Sequence, residues 1–106
     1  MRGCIRIFLE LQSDDEAEMC VKRLLQETGV VSGAYRIQVG QYWKIAEYRQ
    51  VEVFFDGEEL SSEKSHEIRT ALGEGWLLLG PDRYIWTDEE GTSTFPELRW
   101  ASVEVS

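Results

Sequence analysis

The residue types that could carry catalysis or bind a metal are few and scattered. His66 is the only histidine and lies beside Glu67, and the two cysteines, Cys4 and Cys20, are far apart in the sequence. A catalytic triad needs a nucleophile, a base and an orienting group, and a zinc site needs three or four converging ligands. The glycine-containing stretch 73–80 lacks the lysine and the following helix of a nucleotide loop. We therefore expect no enzyme activity, no metal, no cofactor and a surface position for His66.

An acidic run between aromatic residues predicts a different kind of site. Positions 88–90 are all acidic, with Phe95 and Trp100 following them. Rigid rings supply contact area at protein interfaces, and carboxylates engage arginine or lysine from a partner. The alternative is a hairpin whose rings pack inward above a solvated loop. The candidate partner-binding residues in this segment are Tyr84, Trp86, Asp88, Glu89 and Glu90.

A second aromatic segment, YWKIAEYRQVEVFF at positions 42–55, contains five aromatic residues. A fold needs only some of them for its core, and aromatic side chains at strand edges often do no more than pack there. We expect Trp43, next to Ile45, to reach the core. The candidate partner-binding residues in this segment are Tyr42, Trp43, Glu47 and Tyr48.

The charge of the chain limits the class of partner. Twenty acidic and eleven basic residues give a formal net charge of -9 over 106 residues. This charge would repel phosphate, so we expect neither a nucleic-acid nor a membrane partner. It would attract a basic protein, although acidity also serves simply to keep a small protein soluble.

Length and composition indicate a single cytoplasmic α+β domain over residues 1–106. The chain is 42% hydrophobic and 29% charged, which is typical of a globular domain. We find no apolar run of roughly 20 residues that could span a bilayer, and the opening residues alternate instead of forming a signal-peptide core. In the cytoplasm, Cys4 and Cys20 are expected to be reduced.

Hydrophobic periodicity predicts the elements. Alternation indicates strands at 4–11, 35–39, 50–55 and 99–105, and a hairpin at 76–87 that begins with a short buried strand. Apolar spacing of three and four indicates one helix between Ser13 and Gly29. A second helix starts at Ser61 or Ser62.

This order predicts a ferredoxin-like βαββαβ sandwich with an extra C-terminal hairpin. Its antiparallel sheet would carry both helices on one face. Phe8, Phe54 and Trp100 would then point outward from the other face. Either a partner or the final hairpin must shield those rings.

The segments YWKIAEYRQVEV and FPELRWASVEV resemble patterns in small bacterial proteins of about this length. Many of those proteins are similar to immunity proteins of polymorphic toxin systems, such as the Rhs and contact-dependent inhibition types. The resemblance implies a small acidic cytoplasmic protein without catalysis. Such a protein binds a cognate toxin domain, here one with a basic surface, and blocks its active or target-binding surface. The resemblance does not supply a defined set of binding residues.

The alternative from another class is a small-molecule binding or regulatory domain. Ferredoxin-like sandwiches commonly pair through their sheets and hold ligands at the seam, and the outward aromatic face motivates this alternative.

Overall fold

The computed structural model describes residues 3–56 and 60–105, with the backbone only of Ser32. It has an α+β fold with a six-stranded antiparallel sheet and two α-helices. The strands are β1 (Gly3–Leu9), β2 (Tyr35–Gln41), β3 (Arg49–Phe55), β4 (Leu77–Gly80), β5 (Arg83–Thr87) and β6 (Leu98–Val105); the helices are α1 (Asp14–Glu27) and α2 (Ser62–Leu72), and a 3-10 turn covers Ser32–Ala34.

Side-chain caps start both helices, as the sequence predicts. The Ser13 hydroxyl accepts a hydrogen bond from the Glu16 amide at 3.4 Å, and the Ser61 hydroxyl accepts one from the Lys64 amide at 3.1 Å. Each bond satisfies one of the backbone N–H groups that a helix leaves without a partner in its first turn. Gly29, just past α1, has a φ of 82°, which favours glycine.

The Ser61 cap gives a testable prediction. We expect Ser61→Ala to lower the free energy of unfolding by about 1 kcal/mol, because it removes the oxygen that the Lys64 amide uses. Urea denaturation measures the change. Ser62→Ala is the matched control, because Ser62 is the first helical residue and not the cap. Equal losses in the two variants would contradict this role of Ser61.

The strand order in the sheet is β2-β3-β1-β6-β5-β4, and every neighbouring pair is antiparallel. β1 therefore lies between β3 and β6, with Ile5 opposite both Val53 and Val103. Gly3 is opposite Val105, so the described chain begins and ends at one end of the sheet. The loops that follow β1, β2 and β5 lie at the other end.

Alternate residues of the central strands form the core. Both helices contribute to one buried cluster with the inward residues of β1, β3 and β6, so both helices cover the same face of the sheet. The sheet residues of this cluster include Ile5, Ile7, Leu9, Val51, Val53, Ala101 and Val103, and the helix residues include Val21, Leu24, Leu25, Ile68 and Leu72.

The β4–β5 hairpin differs from its prediction in two respects. It precedes the last strand instead of following a complete βαββαβ core, since β6 takes the place beside β1. Its first strand, predicted to be buried, is exposed: Leu77, Leu78 and Leu79 are 43%, 63% and 55% exposed. The leucines are exposed because the helices pack mainly over β2, β3 and β6, while β4 lies at the sheet edge.

Candidate functional site

Among the described residues, no helix packs on one face of the sheet, and aromatic rings lie there. Phe8, Phe54 and Trp100 alternate with the buried residues of their strands, which confirms that they point away from the helices. All three are half-buried. The β4–β5 hairpin extends the sheet sideways, next to β6, and does not fold over these rings. We call this surface the open face.

Four rings form a continuous series on the open face. Phe8 stacks on Tyr42 with 4.4 Å between ring centroids and on Trp100 with 5.0 Å, and Tyr42 contacts Trp43 at 6.2 Å. Pairs of this geometry contribute about 0.5–1.5 kcal/mol beyond the area they bury. The series Trp43, Tyr42, Phe8 and Trp100, which we call the aromatic row, is therefore a fixed apolar surface.

The loop that carries Trp43 is held by hydrogen bonds at its base. The Tyr42 amide donates to the Tyr48 carbonyl at 2.9 Å. Arg49 donates from Nη1 to the Ala46 carbonyl at 3.3 Å and from Nη2 to the Gln12 carbonyl at 2.7 Å. Arg49 thus ties this loop to the connection that follows β1. The side chain of Trp43 is consequently presented by an ordered backbone.

The prediction that Trp43 reaches the core is wrong. Its side chain is 81% exposed, and its neighbour Ile45 is 38% exposed. Trp43 lies where the chain reverses between β2 and β3, so strand alternation no longer directs its side chain toward the helices. Tyr42 stacks on Phe8 instead, while the Lys44 ammonium lies 5.0 Å from the Trp43 ring centroid.

The acidic run lies at the same end of the sheet as the Trp43 loop. Asp88, Glu89 and Glu90 form an exposed turn directly after β5, which we call the acidic turn. Thr87 is opposite Trp100, so the turn starts beside the aromatic row. Because neighbouring strands are roughly 4.8 Å apart, β5 lies about 10 Å from β1. The fold therefore brings the Trp43 loop and the acidic turn to the same end of the sheet.

Backbone hydrogen bonds also hold the acidic turn. The Gly91 amide donates to the Thr87 carbonyl at 2.9 Å. Glu74 and Thr92 exchange two backbone hydrogen bonds, from the Glu74 amide at 2.8 Å and from the Thr92 amide at 2.9 Å. The turn therefore has a defined position relative to β5.

The rings of Tyr84 and Trp86 do not lie on the open face. Trp86 is opposite Ala101, and so its ring enters the core, where it is 2% exposed and donates from Nε1 to the Glu74 carbonyl at 2.9 Å. The Tyr84 ring points to the same side, with the Arg69 guanidinium carbon 3.6 Å from its centroid. Pairing with β6 sets these directions. For these two residues the alternative of inward-packed rings is correct.

The carboxylates near the aromatic row differ in their partners. Glu10 forms an ion pair with Arg99 at 2.6 Å, and Asp14 forms one with Arg49 at 3.0 Å. Within residues 3–56 and 60–105 no ion pair within 4 Å involves the four exposed carboxylates of the predicted site, which are Glu47, Asp88, Glu89 and Glu90. This end of the sheet therefore carries negative charge without an internal counterion.

The set of site residues predicted from the sequence omits Phe8 and Trp100, although they form half of the aromatic row. For Phe8 the sequence does contain an indication of an exposed ring, because this aromatic residue lies on the polar side of an alternating strand. For Trp100, the contact with Phe8 depends on the pairing of β1 with β6, which lie far apart in the sequence.

Cys20 lies in an open groove of about 490 Å³ between α1 and residues 95–97, together with Met19 and Phe95. Burial raises the pKa of Cys20 to about 11, and the Glu97 carboxylate, which accepts a hydrogen bond from Sγ at 3.7 Å, adds to the rise. Burial also raises the pKa of Cys4. Both thiols therefore stay protonated at neutral pH and are poor nucleophiles.

We expect Cys20 to be alkylated slowly. A pKa of about 11 instead of 9.0 leaves about 100-fold less thiolate at pH 8, and the greater nucleophilicity of a more basic thiolate offsets about tenfold of this, so iodoacetamide should label the Cys4→Ser variant at least about tenfold more slowly than an unshifted thiol. Mass spectrometry over time measures the rate. Adding Glu97→Gln should accelerate labelling, because it removes the nearby negative charge. Labelling of Cys20 as fast as that of the unfolded chain would contradict this environment.

Other chemistry-bearing residues are not assembled into a site. His66 is exposed on α2, as predicted. In the part of the chain that the structure describes, no group of three or more His, Cys, Asp or Glu residues could hold a metal ion. The same residues include no helix that is long and apolar enough to cross a membrane.

Comparison with protein-family models, with curated proteins and with solved structures finds no significant match for this chain. A functional proposal therefore depends on the surface itself.

Proposed function

We propose that this chain is a cytoplasmic immunity-type inhibitor, which binds a cognate bacterial toxin domain and blocks its active or target-binding surface without catalysis of its own. The observation that carries the proposal is the aromatic row on the open face, with Trp43 exposed, at the end of the sheet where Glu47 and the acidic turn form no ion pair with any described residue. Small size and a net charge of -9 agree with it.

The aromatic row supplies what the centre of a protein interface requires. Tryptophan and tyrosine dominate interface energetics because they bury a large rigid surface with few torsions to immobilise. Here Trp43 is 81% exposed, while stacking on Phe8 and hydrogen bonds in the loop already order the surrounding residues. Binding would therefore cost little conformational entropy.

The acidic turn supplies the electrostatic part of recognition. Glu47 lies in the loop that carries Trp43, the acidic turn follows Thr87, which is opposite Trp100, and both are exposed. Charges at the rim of an interface mainly accelerate association and select partners of opposite sign, while the desolvated centre slows dissociation. A toxin domain with a basic surface fits this arrangement.

The strand order supports a ferredoxin-like interpretation of the fold. The four strands β2-β3-β1-β6, with α1 and α2 on one face, follow a βαββαβ path. In this interpretation the β4–β5 hairpin is an insertion before the last strand. It widens the open face by two strands and leaves the aromatic row uncovered.

Co-expression tests the proposal. The gene next to this one is expressed alone and together with the tagged chain, and growth and co-purification are measured. We expect the neighbouring product to stop growth when alone, and the tagged chain to restore growth and retain the product on an affinity column. His66→Ala, a change on the exposed side of α2, should protect as well as the original chain. Lack of both protection and binding for every adjacent gene product would reject the immunity function.

A further inference from the structure

The edge strand β4 lacks the charged residues that usually keep sheet edges from pairing, although it is short and its ladder with β5 shifts register. It stands last in the sheet order and exposes three consecutive leucines, Leu77, Leu78 and Leu79. The whole segment from Gly75 to Pro81 carries no charge, in a chain of which 29% is charged. Natural proteins protect exposed edges with charged residues, especially lysine, because unpaired backbone groups pair readily with another strand.

The exposure of these leucines is a fixed feature of the fold. The indole of Trp76, immediately before β4, donates from Nε1 to the carbonyls of Arg69 and Gly73, both at 3.0 Å. Leu78 is opposite Tyr84 in the ladder with β5. The segment is therefore anchored to the end of α2 on one side and to β5 on the other, in an extended conformation ready to pair.

The opposite edge of the sheet, β2, has the usual protection. Its outward residues Arg36 and Gln38 are exposed and polar, while Tyr35, Ile37 and Val39 are half-buried and pack against the core. The two edges thus differ in charge and in the direction of their apolar side chains. An edge that is apolar on both faces is specific to β4.

We propose that β4 pairs antiparallel with β4 of a second copy of this chain. A second copy fits because the segment is uncharged: two copies, each with a net charge of -9, can approach closely only where their carboxylates are absent. Two-fold pairing places leucine against leucine on both faces of the sheet. Leu77 lies beside Ile85 on the open face, and Leu78 lies beside Tyr84 on the helix face.

The length of the edge sets the strength of this contact. β4 has four residues, and its register with β5 shifts between Leu78 and Gly80. Interfaces of this small size belong to weak, reversible complexes. We therefore expect a dissociation constant between roughly 1 µM and 1 mM.

The pairing leaves the proposed toxin-binding surface accessible. Antiparallel pairing has its two-fold axis perpendicular to the sheet, so the open faces of both copies point to the same side. The aromatic row is centred on β1 and Phe8, three strands away from β4 in the sheet order. Dimer formation is consequently independent of the proposed immunity function, and either can fail without the other.

Sedimentation velocity over a concentration series from roughly 5 µM to 500 µM tests the proposal. We expect the average mass to rise from monomer toward dimer. Leu78→Lys should lower association at least tenfold, even though it reduces the net negative charge and with it the general repulsion. Val31→Lys is the matched control, because Val31 is a 70% exposed apolar residue elsewhere on the surface, and this variant should associate like the original chain. A monomer at every concentration, or equal association of the two lysine variants, would overturn the proposal.

Discussion

Trp86→Ala is expected to lower the free energy of unfolding by about 3–5 kcal/mol, the usual cost of truncating a buried tryptophan. The ring is 2% exposed, and its N–H donates to the Glu74 carbonyl at 2.9 Å. Truncation would therefore leave a cavity and also remove one of the two donors to that carbonyl, the other being the Thr92 amide. The ring contacts Gly91, where an added methyl group would overlap the indole. We expect the bend that follows the acidic turn to loosen as well.

Trp43→Ala provides the matched control, with the same substitution at an 81% exposed ring. We expect its free energy of unfolding to stay within about 0.5 kcal/mol of the original chain, as for most surface changes. Urea denaturation of both variants measures the contrast. Similar losses in the two variants would mean that the rings are buried to the same extent, contrary to the structure.

Trp43→Ala is also expected to weaken binding of the cognate toxin domain about 30-fold, or about 2 kcal/mol, because an exposed aromatic residue at the centre of an interface is the type that dominates its energetics. This expectation depends on the proposed function. The negligible effect on folding makes the loss assignable to the interface, and calorimetry with the toxin domain measures it.

Met19→Ala serves as the comparison for binding, since Met19 is an exposed apolar residue on α1, on the helix side of the molecule. Its affinity should remain within about twofold of the original chain. If Trp43→Ala binds as tightly as Met19→Ala, the toxin does not use the aromatic row. If this variant still restores growth in the co-expression experiment, the toxin binds another surface of the chain.

Local signals made several elements predictable. Serine before a run of acidic residues indicated the start of α1, and the structure has the Ser13 cap with its hydrogen bond to the Glu16 amide. Alternation in β1 indicated which residues enter the core, and Ile5 and Ile7 are each 1% exposed. These features depend on residues that are close in the sequence, so the chain itself contains the information.

The directions of the aromatic rings were harder to predict, because they depend on pairing between distant segments. Tyr84 and Trp86 are two residues apart in one strand and therefore share a face, but only their pairing with Val103 and Ala101 shows that this face is the core. The position of Trp43 near Ile45 predicts a ring in the core, yet the chain reverses there and both side chains are exposed.

The exposure of the β4 leucines also depends on distant parts of the chain and could not be predicted from the local sequence. An apolar run of this kind is typical of a buried strand, and the local pattern of 77–79 is correct for a strand. Burial depends on whether a helix lies above the strand. That is decided by the positions of α1 and α2, and not by the leucines.

The pairing of Gly3 with Val105 determines how the molecule can be tethered. Because β1 rises about 3.4 Å per residue, its five steps from Gly3 to Phe8 separate these two residues from the aromatic row by roughly 17 Å. A dye, an affinity handle or a sensor surface joined near either of them would sit at the far end of the molecule. Immobilised protein would then face its ring-bearing end toward the solution, where an incoming macromolecule can reach it.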